Sequence, residues 1–597
     1  MSSYAETPLL CESDPQSTVV DLLEERVQRA PGSAMFARFE NDAWHDVTAA
    51  EFSHQARVLA TRFIAEGLAP GGAVGILSAT RYEWALVEFA CWYAGGIVVP
   101  LYDSSAPEQI AAILAETRPH LLVIETPEHR ERVRRAAEIL GADGIAVPLL
   151  RDITELHPDT LAALPLDPEA ADEIARRTAA RTLDDLATIV YSSGTTGAMK
   201  GSRITHGNFV RLVRNIAAAY SDVIREDSRT LLFLPLAHVL ARGVQLVAIH
   251  AGMTVGHLAD PQRLLTQLAP FRPTFLVVVP RLLEKIEAAV AAKADRPVLR
   301  ALFRAARASA IATAEAHAQG TRPGSFARAR YRLFDRLFFG RMRALFGGRI
   351  ETLLSGAGAL DADTARFFTG AGLPVVEGYG LTETTAPVTG NLPGHVRFGS
   401  VGRPVAGSAV RIADDGEILV RGVGVFAGYE KPELNTDAFV DGYFRTGDLG
   451  HLDADGFLTI TGRVKDALVT SYGKTVMPEP IERELARRTP LIAHAMLVGD
   501  RRPYLGALIV LDDAAVTAWA APRGIDPHAE PETLPTLRAE IAAAVAAVNA
   551  TVSAPEQVKR FRMIRADDTE LLTPTLKLRR AFVSERFAAD IDGLYAP

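Results

Sequence analysis

The sequence predicts an α/β protein with two parts. A large N-terminal domain of helix-covered, mostly parallel sheets would carry a β-rich subdomain, and a small α+β domain would follow. Three observations carry this prediction. Short apolar runs alternate with helical stretches from Gly72 to Pro280, the pattern of parallel strands covered on both faces. From Gly399 the chain becomes glycine-rich with short alternating strands. Its 597 residues exceed one ordinary domain. With 48% hydrophobic and 23% charged residues, a largely disordered chain is excluded.

Taken in order, residues 17–66 read as helices and a short hairpin turning at Glu40-Asn41-Asp42. AVGILS, IVVPLY, HLLVIE, ATIVYSS and TFLVVVP then read as strands, with RYEWALVEFACWYAGG a helix ending at glycines. Residues 281–350 are helical and rich in Ala and Arg, with 15 Lys/Arg against 5 Asp/Glu. Leu333, Phe334, Leu337, Phe338, Met342, Leu345 and Phe346 recur there at helical spacing. Two readings of this insert stand side by side: a helix packed on the body with a solvated basic face, or a contact with a membrane surface. SAVRIAD, GEILVRG and GFLTITG form the β-rich stretch, about 399–462. Past Arg463 a compact α+β tail includes a turn-rich loop, APRGIDPHAEPETLP. The expected domains are therefore 1–462 and 463–597.

The net charge of −8 gives no global case for a nucleic-acid partner. Two cysteines, Cys11 and Cys91, provide no disulfide framework and suit a reducing cytoplasm. The polar, acidic start lacks the basic and apolar regions of a signal peptide. No stretch reaches the ~20 apolar residues of a membrane span. The richest one, Leu231 to Ala259, is broken by His238, Arg242, Gln245 and His250.

The strand ATIVYSS runs into SSGTTGAMKG, residues 192–201. Ser192, Ser193, Gly194, Thr195, Thr196, Gly197 and Lys200 make a loop whose N–H, O–H and ammonium groups suit phosphate oxygens. It is not a Walker A loop, because Gly201 follows Lys200 where Ser or Thr would be needed.

Seven motifs then occur in one order: YSSGTTGAMKG, LPLAHVLARG, SGAGAL, EGYGLTET, YFRTGDLG, GFLTITGRVKD and LTPTLKLRR. Across about residues 20–590 the chain resembles the acyl-adenylate-forming (AMP-binding) superfamily. LPLAHVLAR, the long helical insert and TPTLKLRR make it most similar to the long-chain fatty acyl-CoA synthetases. The resemblance implies ATP-dependent activation of a medium- to long-chain fatty acid to acyl-AMP, then transfer to coenzyme A, with Mg2+ as the metal. Adenylation brings two anions together, so it calls for cationic help.

The resemblance also implies residue roles. Glu383 matches the magnesium ligand, with Ser193 as a second metal contact, and Thr382 matches an α-phosphate contact. Tyr379 would lie against adenine, within Glu377, Gly378, Tyr379 and Gly380, while the small Gly356, Ala357 and Gly358 would let the base approach the backbone. Asp448 would accept both ribose hydroxyls, and Arg463 would add a cationic contact. Lys577 matches the catalytic lysine that bridges the substrate carboxylate and the α-phosphate. His238 would border the acyl pocket, with no need to act as a base because the carboxylate is already ionised at neutral pH. Lys465 resembles the hinge about which a mobile C-terminal domain rotates.

Three positions depart from the family pattern. In the loop of Ser471, Tyr472, Gly473 and Lys474, which by the resemblance lines the coenzyme A channel, Tyr472 replaces a usual glycine and Thr475 after it a usual asparagine, and the bulk of Tyr472 would narrow the channel. Met199 replaces a usual proline in the phosphate loop. Two alternatives follow: a fatty acyl-AMP ligase serving an acyl carrier protein, and a non-catalytic nucleotide- or lipid-binding protein. A monomer or homodimer in the cytoplasm, with membrane contact through the insert, is the remaining expectation.

Overall fold

The apolar runs Ala73–Leu77, Ile97–Leu101 and Leu121–Ile124 are buried almost throughout, as central parallel strands must be. They belong to a six-stranded sheet in the order Leu149–Asp152, Leu121–Ile124, Ala73–Leu77, Ile97–Leu101, Leu186–Ser193, Met199–Thr205. All neighbours are parallel except the last pair. This computed structural model describes residues 3–142, 144–193, 199–292, 297–471, 475–566, 571–573 and 578–596.

A nine-stranded sheet runs Arg403–Pro404, Ala386–Gly390, Val375–Leu381, Thr352–Ser355, Phe275–Val278, Arg229–Leu232, Thr254–His257, Ala34–Glu40, Ala43–Thr48. Its interior pairs are parallel and both ends antiparallel. The expected turn closes the Ala34–Glu40 hairpin, with Asn41 and Asp42 both left-handed at φ 49° and 60°. Such a turn matches the twist of the strands it joins.

Between the two sheets lies a buried polar cluster of five residues. The Arg242 guanidinium donates to Glu88 Oε1 (2.6 Å) and Thr188 Oγ1 (2.9 Å), and Gln245 donates to Glu88 Oε2 (3.2 Å). The ring of His257 bonds Gln245 Oε1 at 2.8 Å. Thr188 belongs to the six-stranded sheet and His257 to the nine-stranded one, so the cluster bridges the layers. Trp84, Trp92 and Phe209 face the guanidinium.

The helical insert is built from Pro280–Ala292, Pro297–Ala318, Ser325–Phe334 and Gly340–Leu345, with a π-helical turn at Asp335–Phe339. Phe334, Phe339, Met342 and Phe346 enter the core beside Phe303, Phe367 and Phe368. The apolar stripe read from the sequence is corrected at two positions. Leu333 and Leu337 point outward, 56% and 41% exposed. The insert carries more apolar residues than one packed face accommodates, and the extra residue of the π turn brings Phe339 inward instead.

The chain divides into two compact units. One comprises Met1–Arg411, Leu419–Thr446 and Leu452–Thr459; the other comprises Ile412–Ile418, Gly447–His451 and Ile460–Pro597. The glycine-rich stretch supplies Ser408–Ile412, Glu417–Gly422, Tyr443–Leu452 and Leu458–Arg463 as strands, and the division runs through it. The second unit has a three-stranded sheet, Ile492–Val498, Leu505–Leu511 and Val558–Ile564, packed on helices Pro478–Arg488 and Pro535–Asn549.

Two buried histidines set a pH dependence. His206 Nδ1 accepts the Val19 N–H (3.3 Å), and burial holds its pKa down at about 4. Burial holds His257 down at about 3. Both titrate near 6.5 when unfolded, so below that pH the unfolded chain binds more protons. Stability present at neutral pH is thus lost as pH falls from about 6.5 toward the folded values, by roughly 1.4 kcal/mol per histidine per pH unit. Melting measured between about pH 7 and pH 5 should show this slope, and His206→Asn should flatten it. An unchanged slope in that variant would contradict the assignment.

Candidate active site

Strand Leu186–Ser193 delivers Ser192 and Ser193, and strand Met199–Thr205 leaves antiparallel to it, Ser192 facing Lys200 and Ser193 facing Met199. Gly194, Thr195, Thr196 and Gly197 lie outside the described residues, as do Tyr472, Gly473, Lys474 and Lys577. Lys200 itself stands on the returning strand. Its ammonium sits 5.1 Å from the ring centre of Tyr429, and the Tyr429 hydroxyl donates to Glu383 Oε1 at 2.8 Å. The structure therefore joins Lys200 and Glu383, two residues far apart in sequence, through one tyrosine.

Backbone bonds hold that tyrosine in place. Ala427 N–H donates to the Arg203 carbonyl (2.9 Å), Arg203 N–H to Gly428 (2.9 Å) and Glu430 N–H to Gly201 (2.7 Å). On the other side, Phe426 N–H donates to the Glu383 carbonyl at 2.9 Å. Segment 426–430 thus stitches the returning strand to the turn that bears Glu383. Burial, reinforced by the Glu383 charge, raises the Tyr429 hydroxyl far above the usual phenol range, so it remains a donor.

Thr382 and Glu383 lie in a single 3-10 turn, Thr382–Thr384. Beyond it Thr385 and Ala386 take left-handed φ values of 58° and 118°. Such conformations are costly for residues with a Cβ and persist only where surrounding bonds fix them. Here Thr384 Oγ1 donates to the Ala386 carbonyl (2.8 Å) and Thr385 Oγ1 to Gly424 (2.6 Å).

Parallel strands Thr352–Ser355 and Val375–Leu381 end side by side, with Ser355 opposite Glu377. This brings Gly356, Ala357 and Gly358 next to Glu377, Gly378 and the buried Tyr379 at the carboxyl ends of the strands, where open α/β sheets bind ligands. Gly380 is demanded by the fold, since a Cβ there would lie 1.9 Å from the Ala386 carbonyl oxygen. Gly356 and Gly358 are not: a Cβ at either would find its nearest neighbour at 3.6 Å. The protein's own packing does not explain the missing side chains. Ala357 between them is left-handed at φ 63°.

His238 caps helix Val239–Ala251, its Nδ1 accepting the Leu240 N–H at 3.1 Å. Leu240 is the side chain nearest Gly356, so this cap sits beside the glycine pair.

In the second unit, the buried Asp448 accepts a hydrogen bond from Arg463 Nε at 2.5 Å. Lys465 is exposed in the short turn Val464–Asp466, and Ser471 is exposed with its N–H bonded to the Arg502 carbonyl at 2.9 Å. Among the described residues no three His, Cys, Asp or Glu side chains group as a metal site.

Sequence reasoning missed Tyr429. The available signal was Gly428-Tyr429-Glu430, an aromatic after a glycine at φ 108°. Nothing in a lone tyrosine announces that it will face a carboxylate 46 residues earlier.

Comparison with known proteins gives a consistent picture. Residues 23–430 match the family model for the AMP-binding enzyme, and residues 465–597 match that for the AMP-binding enzyme C-terminal domain. A long-chain-fatty-acid–CoA ligase of Mycobacterium bovis, FadD15, is 41% identical over 97% of each chain. The human long-chain-fatty-acid–CoA ligase 6 is 31% identical over 88% of this chain and 78% of its own. ATP-bound MatB of Rhodopseudomonas palustris shares the fold at 22% identity and a TM-score of 0.68, covering 96% of this chain and 99% of MatB. The adenylation domain of a Mycobacterium chelonae carboxylate reductase does so at 20% identity and a TM-score of 0.75, covering 98% of this chain and 92% of that domain. With matches to both family models and full-length likeness to named members, this chain belongs to the AMP-binding enzyme family, the acyl-adenylate-forming enzymes.

Proposed function

We propose that this chain is a fatty acid–CoA ligase, activating medium- to long-chain fatty acids with ATP and transferring the acyl group to coenzyme A. The observation that carries this reading is the 41% identity, over nearly the whole of both chains, to a long-chain-fatty-acid–CoA ligase. A substrate carboxylate oxygen attacks the α-phosphorus of ATP, the bond to pyrophosphate breaks, and acyl-AMP forms. The coenzyme A sulfur, as thiolate, then attacks the acyl carbonyl and AMP leaves.

The chain's own groups divide this work. Ser192, Ser193, Thr195, Thr196 and Lys200 hold the pyrophosphate half of ATP. Gly356, Ala357 and Gly358 admit adenine against Tyr379, Asp448 binds the ribose, and Thr382 contacts the α-phosphate. Lys577 neutralises the charge that develops between carboxylate and phosphate. His238 is fixed by capping and borders the acyl chain without acting as a base. Lys465 serves as the hinge and residues 471–474 line the coenzyme A channel.

Magnesium fits the residues present. Glu383 Oε1 is committed to Tyr429, while Oε2 has no hydrogen bond among the described residues. One carboxylate oxygen supplemented by nucleotide phosphates is a usual magnesium environment. The ion supplies neutralisation of phosphate charge. Tyr429 then acts as a positioning residue that orients the carboxylate. Tyr429→Phe should raise the magnesium concentration for half-maximal pyrophosphate release about ten-fold with an unchanged melting temperature. An unaltered magnesium dependence would remove that role.

The function is tested by offering ATP, magnesium and fatty acids from hexanoate to icosanoate, with and without coenzyme A. Pyrophosphate release with a coenzyme A-dependent thioester is the expected result, and the series fixes the preferred chain length. Acyl-AMP that accumulates and ignores coenzyme A would overturn the acceptor, and Tyr472 would be the first residue to change.

A further inference from the structure

Helix Ser325–Phe334 and the π turn after it present an outward stripe that the fold does not use. Phe326, Leu333 and Leu337 are 80%, 56% and 41% exposed. With Arg330 they recur at spacings of four, three and four residues, which aligns them along one helical face. The opposite face, through Phe334, Phe339 and Met342, is buried in the core. The stripe is therefore surplus to folding.

Its flanks are cationic. Residues 321–341 contain six arginines and a single acid, Asp335. Asp335 is engaged by Arg343 at 2.7 Å. Arg328, Arg330, Arg332, Arg336 and Arg341 are exposed, and none forms an ion pair with a described residue. At helical spacing Arg330 stands at one edge of the stripe, and Arg336 and Arg332 lie beyond the other. Elsewhere the chain is acidic, with a net charge of −8 despite a local excess of ten positive charges over 281–350. Phe303 of helix Pro297–Ala318 packs on Phe338 with ring centres 6.0 Å apart. This brings alongside the first turns of that helix, where Val298 is 72% exposed and Leu299 and Leu302 are 37% exposed.

We propose that this face docks on an anionic lipid bilayer, Phe326, Leu333 and Leu337 entering the acyl boundary and the flanking arginines meeting lipid phosphates. An apolar stripe bordered by arginine is the composition of a helix lying in a membrane interface. Three large apolar side chains share this outward line with Arg330, a mixture that meets acyl chains and lipid phosphates together, and an acidic protein partner would not need the exposed phenylalanine. No helix among the described residues is long and apolar enough to cross a membrane, so contact through this face is peripheral. The purpose rests on the fatty-acid reading above, because a long-chain acid partitions into bilayers and the enzyme would collect it there.

The test is co-sedimentation of the full chain with vesicles of phosphatidylcholine alone and with phosphatidylglycerol as about a third of the lipid, at low and raised salt and without ATP. Binding is expected on the anionic vesicles only, weakened by salt. Arg330→Gln with Arg336→Gln should lower the partition coefficient about 25-fold, roughly five-fold for each charge removed. Phe326→Ser should lower it further without altering melting temperature or turnover of a dispersed short acid. No binding to anionic vesicles, binding unaffected by these variants, or equal binding to neutral vesicles would each overturn the proposal. Vesicle binding is read without catalysis, so a failed ligase assay leaves this outcome intact, and the reverse holds.

Discussion

Lys577→Ala should lower fatty acid adenylation by about 10²–10³-fold, the cost of losing one preorganised charge at a developing anion. Adenylation is the step in which carboxylate and phosphate, both negative, must meet, and a lysine on a long stem is suited to bridge them. Once acyl-AMP exists the problem changes. The thiolate attacks a neutral carbonyl carbon, and AMP is a good leaving group without that bridge. Thioester formation from supplied acyl-AMP should therefore be nearly unaffected, as should ATP binding. The two half-reactions are measured separately, by pyrophosphate release and by thioester yield from synthetic acyl-AMP. Equal loss in both would place Lys577 in a role common to the two steps and sink the assignment.

The largest effect on stability is expected at Arg242. Arg242→Met leaves the fully buried Glu88 with Gln245 as its remaining donor, and stranding one member of a buried ion pair costs about 3–5 kcal/mol. Burial already pushes the Glu88 carboxyl up, and the Arg242 charge opposes that push. Without Arg242 the carboxyl should take up a proton on folding, so the variant's deficit should shrink as pH falls. Replacing both, Arg242→Met with Glu88→Leu, should recover much of the loss because no buried charge is stranded. Denaturant unfolding of the three variants at two pH values checks this. A double variant as weak as the single would mean that the buried polar cluster contributes through shape rather than charge.

How much of this was legible in the sequence differs by element. The parallel strands were, because a strand buried on both faces is an uninterrupted apolar run, as in Leu121–Ile124. The hairpin turn at Asn41-Asp42 was, because few residue pairs tolerate two left-handed conformations. The insert was legible as helical but not in its orientation. Helical spacing identifies a stripe without saying which of two stripes is buried, and the π turn alters the phase midway. Within the site, the motif residues could be named by resemblance, yet the tie between Lys200 and Glu383 could not. It depends on Tyr429 arriving from a third segment, and tertiary convergence leaves no local periodicity. Gly380 and Gly356 look alike in sequence; only the contacts distinguish a glycine the backbone requires from one that leaves open space.

The stitching of segment 426–430 to both the Gly201–Arg203 strand and the Glu383 turn has one more consequence. Lys200 and Glu383, the groups proposed to hold phosphate and metal, are mounted on a shared brace and cannot respond independently. Whatever rigidifies Lys200 removes freedom from the Glu383 carboxylate as well, so the ordering cost is met jointly rather than twice. The nucleotide and its counter-ion should consequently favour each other's retention, and reciprocity requires the benefit to be equal in both directions.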